Sequence, residues 1–209
     1  APQITKPRLN LGWAIDNVPG LGSSSVVFND TFSTTDTAKW IFNRTTVDDL
    51  GKNEPSGIYS LHLKGGDLAT TGLINLSSYT RAILTYHYQR TGGGSSPGRD
   101  EDLILEYYDG SNWVELDRQL SNGADMTQYE LAVVKLPAEA LHSDFRLRIR
   151  SAGSSDGVHG DWFVDDVTIK SWQVVFEDSF PETQINQAKW KVMGTIIDAK
   201  RQNAPSPPY

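Results

Sequence analysis

The central stretch of the chain is built from short runs in which apolar and polar positions alternate, broken by clusters of Gly, Asn, Asp and Ser. Alternation with a period of two is the signature of a half-buried strand. SSVVFNDTF (24–32), YSLHLKG (59–65), RAILTYHYQR (81–90), YELAVVKL (129–136), DFRLRIRS (144–151) and DWFVDDVTIK (161–170) each read as strands. DLILEYYDGSNWVELDRQL (102–120) reads as a hairpin, with two strands folding around Asp109-Gly110-Ser111-Asn112. TGGGSSPGRDED (91–102) is a loop, because a proline and a glycine triplet cannot sit in a ladder. PAEALHSD (137–144) holds at most one helical turn, and no long stretch has a 3.6-residue period. Eight or so strands without helices predict an all-β fold, a two-sheet antiparallel jelly-roll sandwich.

The chain also repeats itself. WAIDNV at 13–18 returns as WFVDDV at 162–167, and VVFNDTF at 26–32 returns as VVFEDSF at 174–180. AKW, ending at Trp40, returns ending at Trp190, and VDDLGKNEPSGIY, ending at Tyr59, aligns with IDAKRQNAPSPPY, ending at Tyr209. The offset stays between 148 and 150 positions and the order is kept. A fixed period marks a tandem array. Residues 1–20 therefore read as the tail of a preceding unit, 21–170 as a complete jelly-roll unit, and 171–209 as the head of the following unit. In that fold the first and last strands of a unit, 26–32 and 162–169, are expected to lie side by side. The unpartnered tail strand (8–18) and head strand (174–180) are templates for another chain, so neighbouring copies of the repeat, or a homopolymer built by strand exchange, are expected partners.

Composition narrows the function. Of the 209 residues 38% are hydrophobic and 22% charged, and the net charge is −7. That balance argues against nucleic acid and anionic membranes as partners. No run of apolar residues is long enough to span a membrane. With no cysteine, disulfides and thiolate metal sites are excluded. The four histidines, at 62, 87, 142 and 159, lack the paired spacing of a metalloenzyme, and no GxSxG turn is present. The acidic run Asp100, Glu101, Asp102 and Glu106 reads as a solvated loop leading into a strand rather than a glycosidase pair. No enzyme is expected.

Two sites remain. If DWFVDDVTI is a regular strand, Phe163, Asp165, Val167 and Ile169 share one face, so Asp165 points inward. The repeat keeps this carboxylate as Asp16, and keeps Asp30 as Asp178. A buried carboxylate must be compensated. Asp30 and Asp165, with Asp67 from the KGGD turn, form a candidate structural Ca²⁺ site; backbone N–H groups, or an arginine such as Arg148, would serve Asp165 equally. In RAILTYHYQR one side carries Tyr86 and Tyr88 and the other Thr85, His87 and Gln89. With the tyrosines in the core, His87, Gln89, Arg90 and the glycine loop line a candidate polysaccharide groove, and Trp113 at the hairpin is a further ligand contact.

The order F-x-D-x-F, W, YSLHLKGG, INLSSY, WFVDDVTI resembles the jelly-roll modules of MAM domains and reelin subrepeats. It is also similar to the repeats of large secreted bacterial proteins. The resemblance implies a secreted or cell-surface, non-catalytic structural and adhesive module, with calcium between the N- and C-terminal strands held by Asp30, Asp165 and Asp67. The alternative it leaves open is a carbohydrate-binding module of a larger secreted enzyme.

Overall fold

The computed structural model describes residues 24–153 and 160–172, the side chain of Trp172 excepted. The partial repeats expected at 1–20 and 171–209, apart from residues 171 and 172, which the structure adds to the last strand of the central unit, and with them the expected strand exchange between copies, lie outside the described residues. Eleven strands form two antiparallel sheets: β1 (Ser24–Asp30), β2 (Trp40–Asn43), β3 (Thr46–Asp48), β4 (Ser60–Leu63), β5 (Leu68–Thr71), β6 (Arg81–Arg90), β7 (Leu103–Tyr108), β8 (Trp113–Gln119), β9 (Glu130–Lys135), β10 (Leu147–Ser151) and β11 (Trp162–Trp172). The only helical turn among the described residues is a 3₁₀ segment, Ala138–Ala140. One sheet runs β3-β4-β11-β6-β9, with β1 also paired to β11; the other runs β2-β5-β10-β7-β8. The chain folds as the expected all-β jelly-roll sandwich.

Alternation builds the core. Leu61 and Leu63 on β4, Leu84 and Tyr86 on β6, and Trp162 and Val164 on β11 face Ala69, Leu103, Leu105, Leu147 and Ile149 of the opposing sheet, all with at most 1% exposure. Each such side chain contributes roughly 1.5–3 kcal/mol by leaving water. The hairpin forms where the turn cluster stands: Asp109 Oδ1 accepts from the amides of Ser111 and Asn112, both at 2.7 Å. β2, β3 and β5, of three or four residues, are absent from the sequence expectation.

The first strand does pair with the last. Ser24 stands opposite Trp172 and Asp30 opposite Val167. The seam is locked by Asp30, whose Oδ2 accepts from the indole Nε1 of Trp40 at 2.9 Å and whose Oδ1 accepts from the Phe32 amide at 2.9 Å. Phe32 and Trp40 are buried with ring centroids 5.4 Å apart. Replacing Asp30 by alanine strands a buried indole N–H and a buried amide, each worth about 1–3 kcal/mol. Asp30→Ala is expected to lower unfolding stability by ~3 kcal/mol in urea titration; an unchanged midpoint would show that the seam is held by packing alone.

Candidate functional site

β11 does not keep one register. Trp162 and Val164 point into the core, while Phe163 stacks on His62 with centroids 4.6 Å apart, on the outer face. A bulge between Asp165 and Thr168, with Asp166 at φ 51°, inserts an extra residue and returns Val167 and Ile169 to the core. This corrects the expectation that Phe163, Asp165, Val167 and Ile169 share a face. Asp165 lies outside the sandwich core, yet is fully buried, because the 49–59 loop covers it. Its Oδ2 accepts from Ser56 Oγ at 3.2 Å and its Oδ1 from the Asp166 amide at 2.7 Å. Burial, with the charges of Asp166 and Glu54 added, pushes the Asp165 carboxyl up to about 7. Arg148 is not its partner: it belongs to the other sheet, where its Nε and Nη2 both lie 2.6 Å from Glu106 Oε2.

The three carboxylates expected around calcium do not converge. Asp30 faces Trp40 on the core side of the first sheet, whereas Asp165 faces Ser56 on its outer side. Asp67 is tied to Arg44 at 3.1 Å and accepts from the Lys64 amide at 2.9 Å. Ca²⁺ takes roughly six to eight oxygen ligands, and both oxygens of each carboxylate already accept from the protein's own donors. No group of three His, Asp or Glu side chains among the described residues is arranged to hold a metal. Asp30, Asp67 and Asp165 therefore do not fit a shared cation, because the bulge sends Asp165 to the other face.

The proposed ligand groove also divides. The row of Thr85, His87 and Gln89 faces away from the core, as alternation requires, but loops lie on it. Gln89 is fully buried and clamps the 49–59 loop: the Lys52 amide donates to its Oε1 at 2.9 Å and its Nε2 donates to the Lys52 carbonyl at 2.8 Å. His87 lies 3.4 Å from Asp166. Arg90, one residue on, points to the opposite face with Tyr86 and Tyr88, its guanidinium 5.7 Å from the Trp162 ring. Trp113 sits on the second sheet, covered by the Arg148 guanidinium at 4.2 Å and flanked by Tyr108. These four residues thus occupy three separate places.

Two arrangements escaped the sequence reading. The first is a buried polar line on the outer face of the first sheet. His62 Nδ1 lies 2.7 Å from Asp48 and its Nε2 2.6 Å from Asp161. Asp161 also accepts from the Ser95 amide at 2.5 Å, fastening the 91–98 glycine loop. The second is a pocket of about 400 Å³ at the edge of the sandwich, reached by Tyr88, Arg90, Arg118, Gln119 and Glu130. The sequence reading sets Arg90 with His87 and Gln89, although strict alternation along β6 puts it on the face of Tyr88; nothing in the chain signals that Gln119 and Glu130, on other strands, join them.

No protein-family model and no curated protein sequence matches the chain. Solved structures do. The K3 cleaved adhesin domain of Lys-gingipain from Porphyromonas gingivalis superposes with a TM-score of 0.53 at 15% identity, covering 71% of this chain and 99% of that domain. The K1 cleaved adhesin domain of the same protein gives 0.50 at 14%, covering 72% and 99%. The C-terminal family 22 carbohydrate binding module of Clostridium thermocellum Xyn10B gives 0.49 at 16%, covering 73% and 96%. At these identities the likeness to the two adhesin domains bears on the fold alone, the β-sandwich described above.

Two measurements follow from the site. Asp165 is raised from 3.8 to about 7 in the fold, so between those values the native state keeps a proton that the unfolded chain releases. Its stabilisation is complete below about pH 4 and is lost as pH rises through 7. Asp165→Asn removes that slope and is expected to gain stability over the parent on going from about pH 5 to about pH 8; parallel curves would show that Asp165 is ionised throughout. EDTA is expected to leave the melting temperature of the full chain unchanged. A fall of several degrees would restore a bound cation.

Proposed function

We propose that the chain is a non-catalytic extracellular module of a tandem array, acting in adhesion. The observation that carries this reading is the pairing of Ser24 with Trp172. The chain comes in along β1 and leaves along β11 at one corner of the domain, next to segments whose sequences repeat those same two strands. A unit so closed is suited to serial repetition without disturbing its neighbour's core. The titratable side chains give further support: Asp30, Asp48, Asp67, Asp161 and Glu106 each hold a loop, a ring or an arginine. The adhesin domains sharing the fold are domains of a larger protein, which suits the same reading.

The 209-residue chain, applied to an array of glycans and immobilised matrix proteins, is expected to be retained saturably on one class without breaking a bond in it. New reducing ends or new amino termini, lost on a point substitution, would make it an enzyme. Retention on nothing would remove adhesion.

A further inference from the structure

We infer that the pocket between the ends of β6 and β8 and the 120–126 loop binds a neutral saccharide, with Gln119, Asn122 and Glu130 contacting its hydroxyls and Tyr88 its ring. This deepens the reading of the chain as a binding module and rests on it. The volume of about 400 Å³ falls within the roughly 300–1,000 Å³ of small-molecule sites.

The two guanidiniums of the lining, Arg90 and Arg118, are offset by its one carboxylate, Glu130, and by Asp102 and Glu115 outside it. Arg118 is paired at 3.0 Å with Asp102 and at 2.5 Å with Glu115. The Arg90 guanidinium is occupied by backbone carbonyls, donating to Leu120 O at 2.8 Å and to Ala124 O at 3.0 Å, and Glu130 offsets its charge across Tyr88. A phosphate or sulfate ligand needs a cationic excess, which this balance denies. A lipid or steroid needs mostly apolar walls, yet amides, a carboxylate, a phenol and two guanidiniums dominate here. A sugar hydroxyl both donates and accepts, and is met by a mixture of donors and acceptors of this kind. The side of a pyranose ring presents C–H groups to an aromatic such as Tyr88.

The site is also held in advance, which lowers the ordering cost of binding. Tyr88 OH donates to Glu130 Oε2 at 2.8 Å. The Gln119 amide nitrogen donates to Tyr86 OH at 3.0 Å and to Asp117 at 3.1 Å, leaving its carbonyl oxygen as an acceptor. Gly123 presses on the Arg90 guanidinium so closely that a Cβ there would lie 2.3 Å from Nη2. The loop and Arg90 are therefore fitted to each other, with Trp162 on the far side.

The test is an NMR titration of the ¹⁵N-labelled full chain with xylohexaose and cellohexaose as neutral probes and trigalacturonate as an anionic one. At millimolar ligand a neutral hexaose is expected to move the amides of 119–124 and 130, while trigalacturonate leaves them in place. Asn122→Ala, at an exposed position, is expected to weaken binding by about three- to tenfold without changing the melting temperature, the loss of about one hydrogen bond. If a neutral sugar moves amides around Trp113 and Tyr108 instead, the pocket is refuted while the binding module stands. If only trigalacturonate moves the pocket amides, the ligand class is refuted. If no saccharide moves any amide, the inference fails, and retention on immobilised matrix proteins decides the broader reading separately.

Discussion

The change of face halfway along β11 is the constraint on which the rest of the domain depends. This strand pairs with β6 on one side along nearly its whole length, and with β4 and then β1 on the other. A strand shared by three others cannot slip, because a one-residue shift would turn each apolar row outward. The bulge at Asp165–Thr168 divides it into two segments of opposite parity. In the first, Phe163 and Asp165 face outward and anchor loops. In the second, Val167 and Ile169 face inward and receive β1. The double aspartate is where the extra residue is accommodated: Asp166 takes the left-handed conformation that Asp tolerates better than bulky residues, and Asp165 accepts its neighbour's amide.

A second principle follows from the outer face. A two-sheet sandwich leaves one side of each sheet to solvent, but half of this side of the first sheet carries a third layer of loops. Gln89, Asp161 and Asp165 are the posts that hold it, each through backbone or hydroxyl donors. Buried polar groups of this kind must be fully paired to be tolerated. That is why, among the described residues, Asp30, Asp67 and Asp165 do not gather around one cation: each is engaged as a fastener. The second sheet repeats the pattern, with Glu106 bridging Arg148 and Arg150.

Much of this was legible in the sequence, and the failures have particular causes. The long strands β6 to β11 announce themselves because runs of five or more strand-forming residues between turn clusters leave few alternatives, and the repeat singled out β1 and β11 as a pair. β2, β3 and β5 are too short to show a period, and WIFN and LATT are indistinguishable from loop by alternation. The bulge hid because FVDDVTI alternates acceptably if read straight through, so Asp165 was assigned to the core. The residues of the expected ligand groove part company for a different reason. Parity correctly turned His87 and Gln89 away from the core, but nothing local says that a loop 37 positions upstream will fold down upon Gln89.

The positions of the seam and the pocket are connected through the two longest strands. Trp172 lies opposite Arg81 and beside Ser24, at the end of β11 where the chain comes in and leaves; Trp162 lies opposite Arg90, at the pocket end. At about 3.3 Å per residue, these ends are roughly 30 Å apart. Units joined in series through the β1–β11 corner therefore connect at the end remote from Tyr88 and Glu130. In the array proposed above, each unit would carry the pocket away from the junction, and weak sites in series would gain avidity from their number.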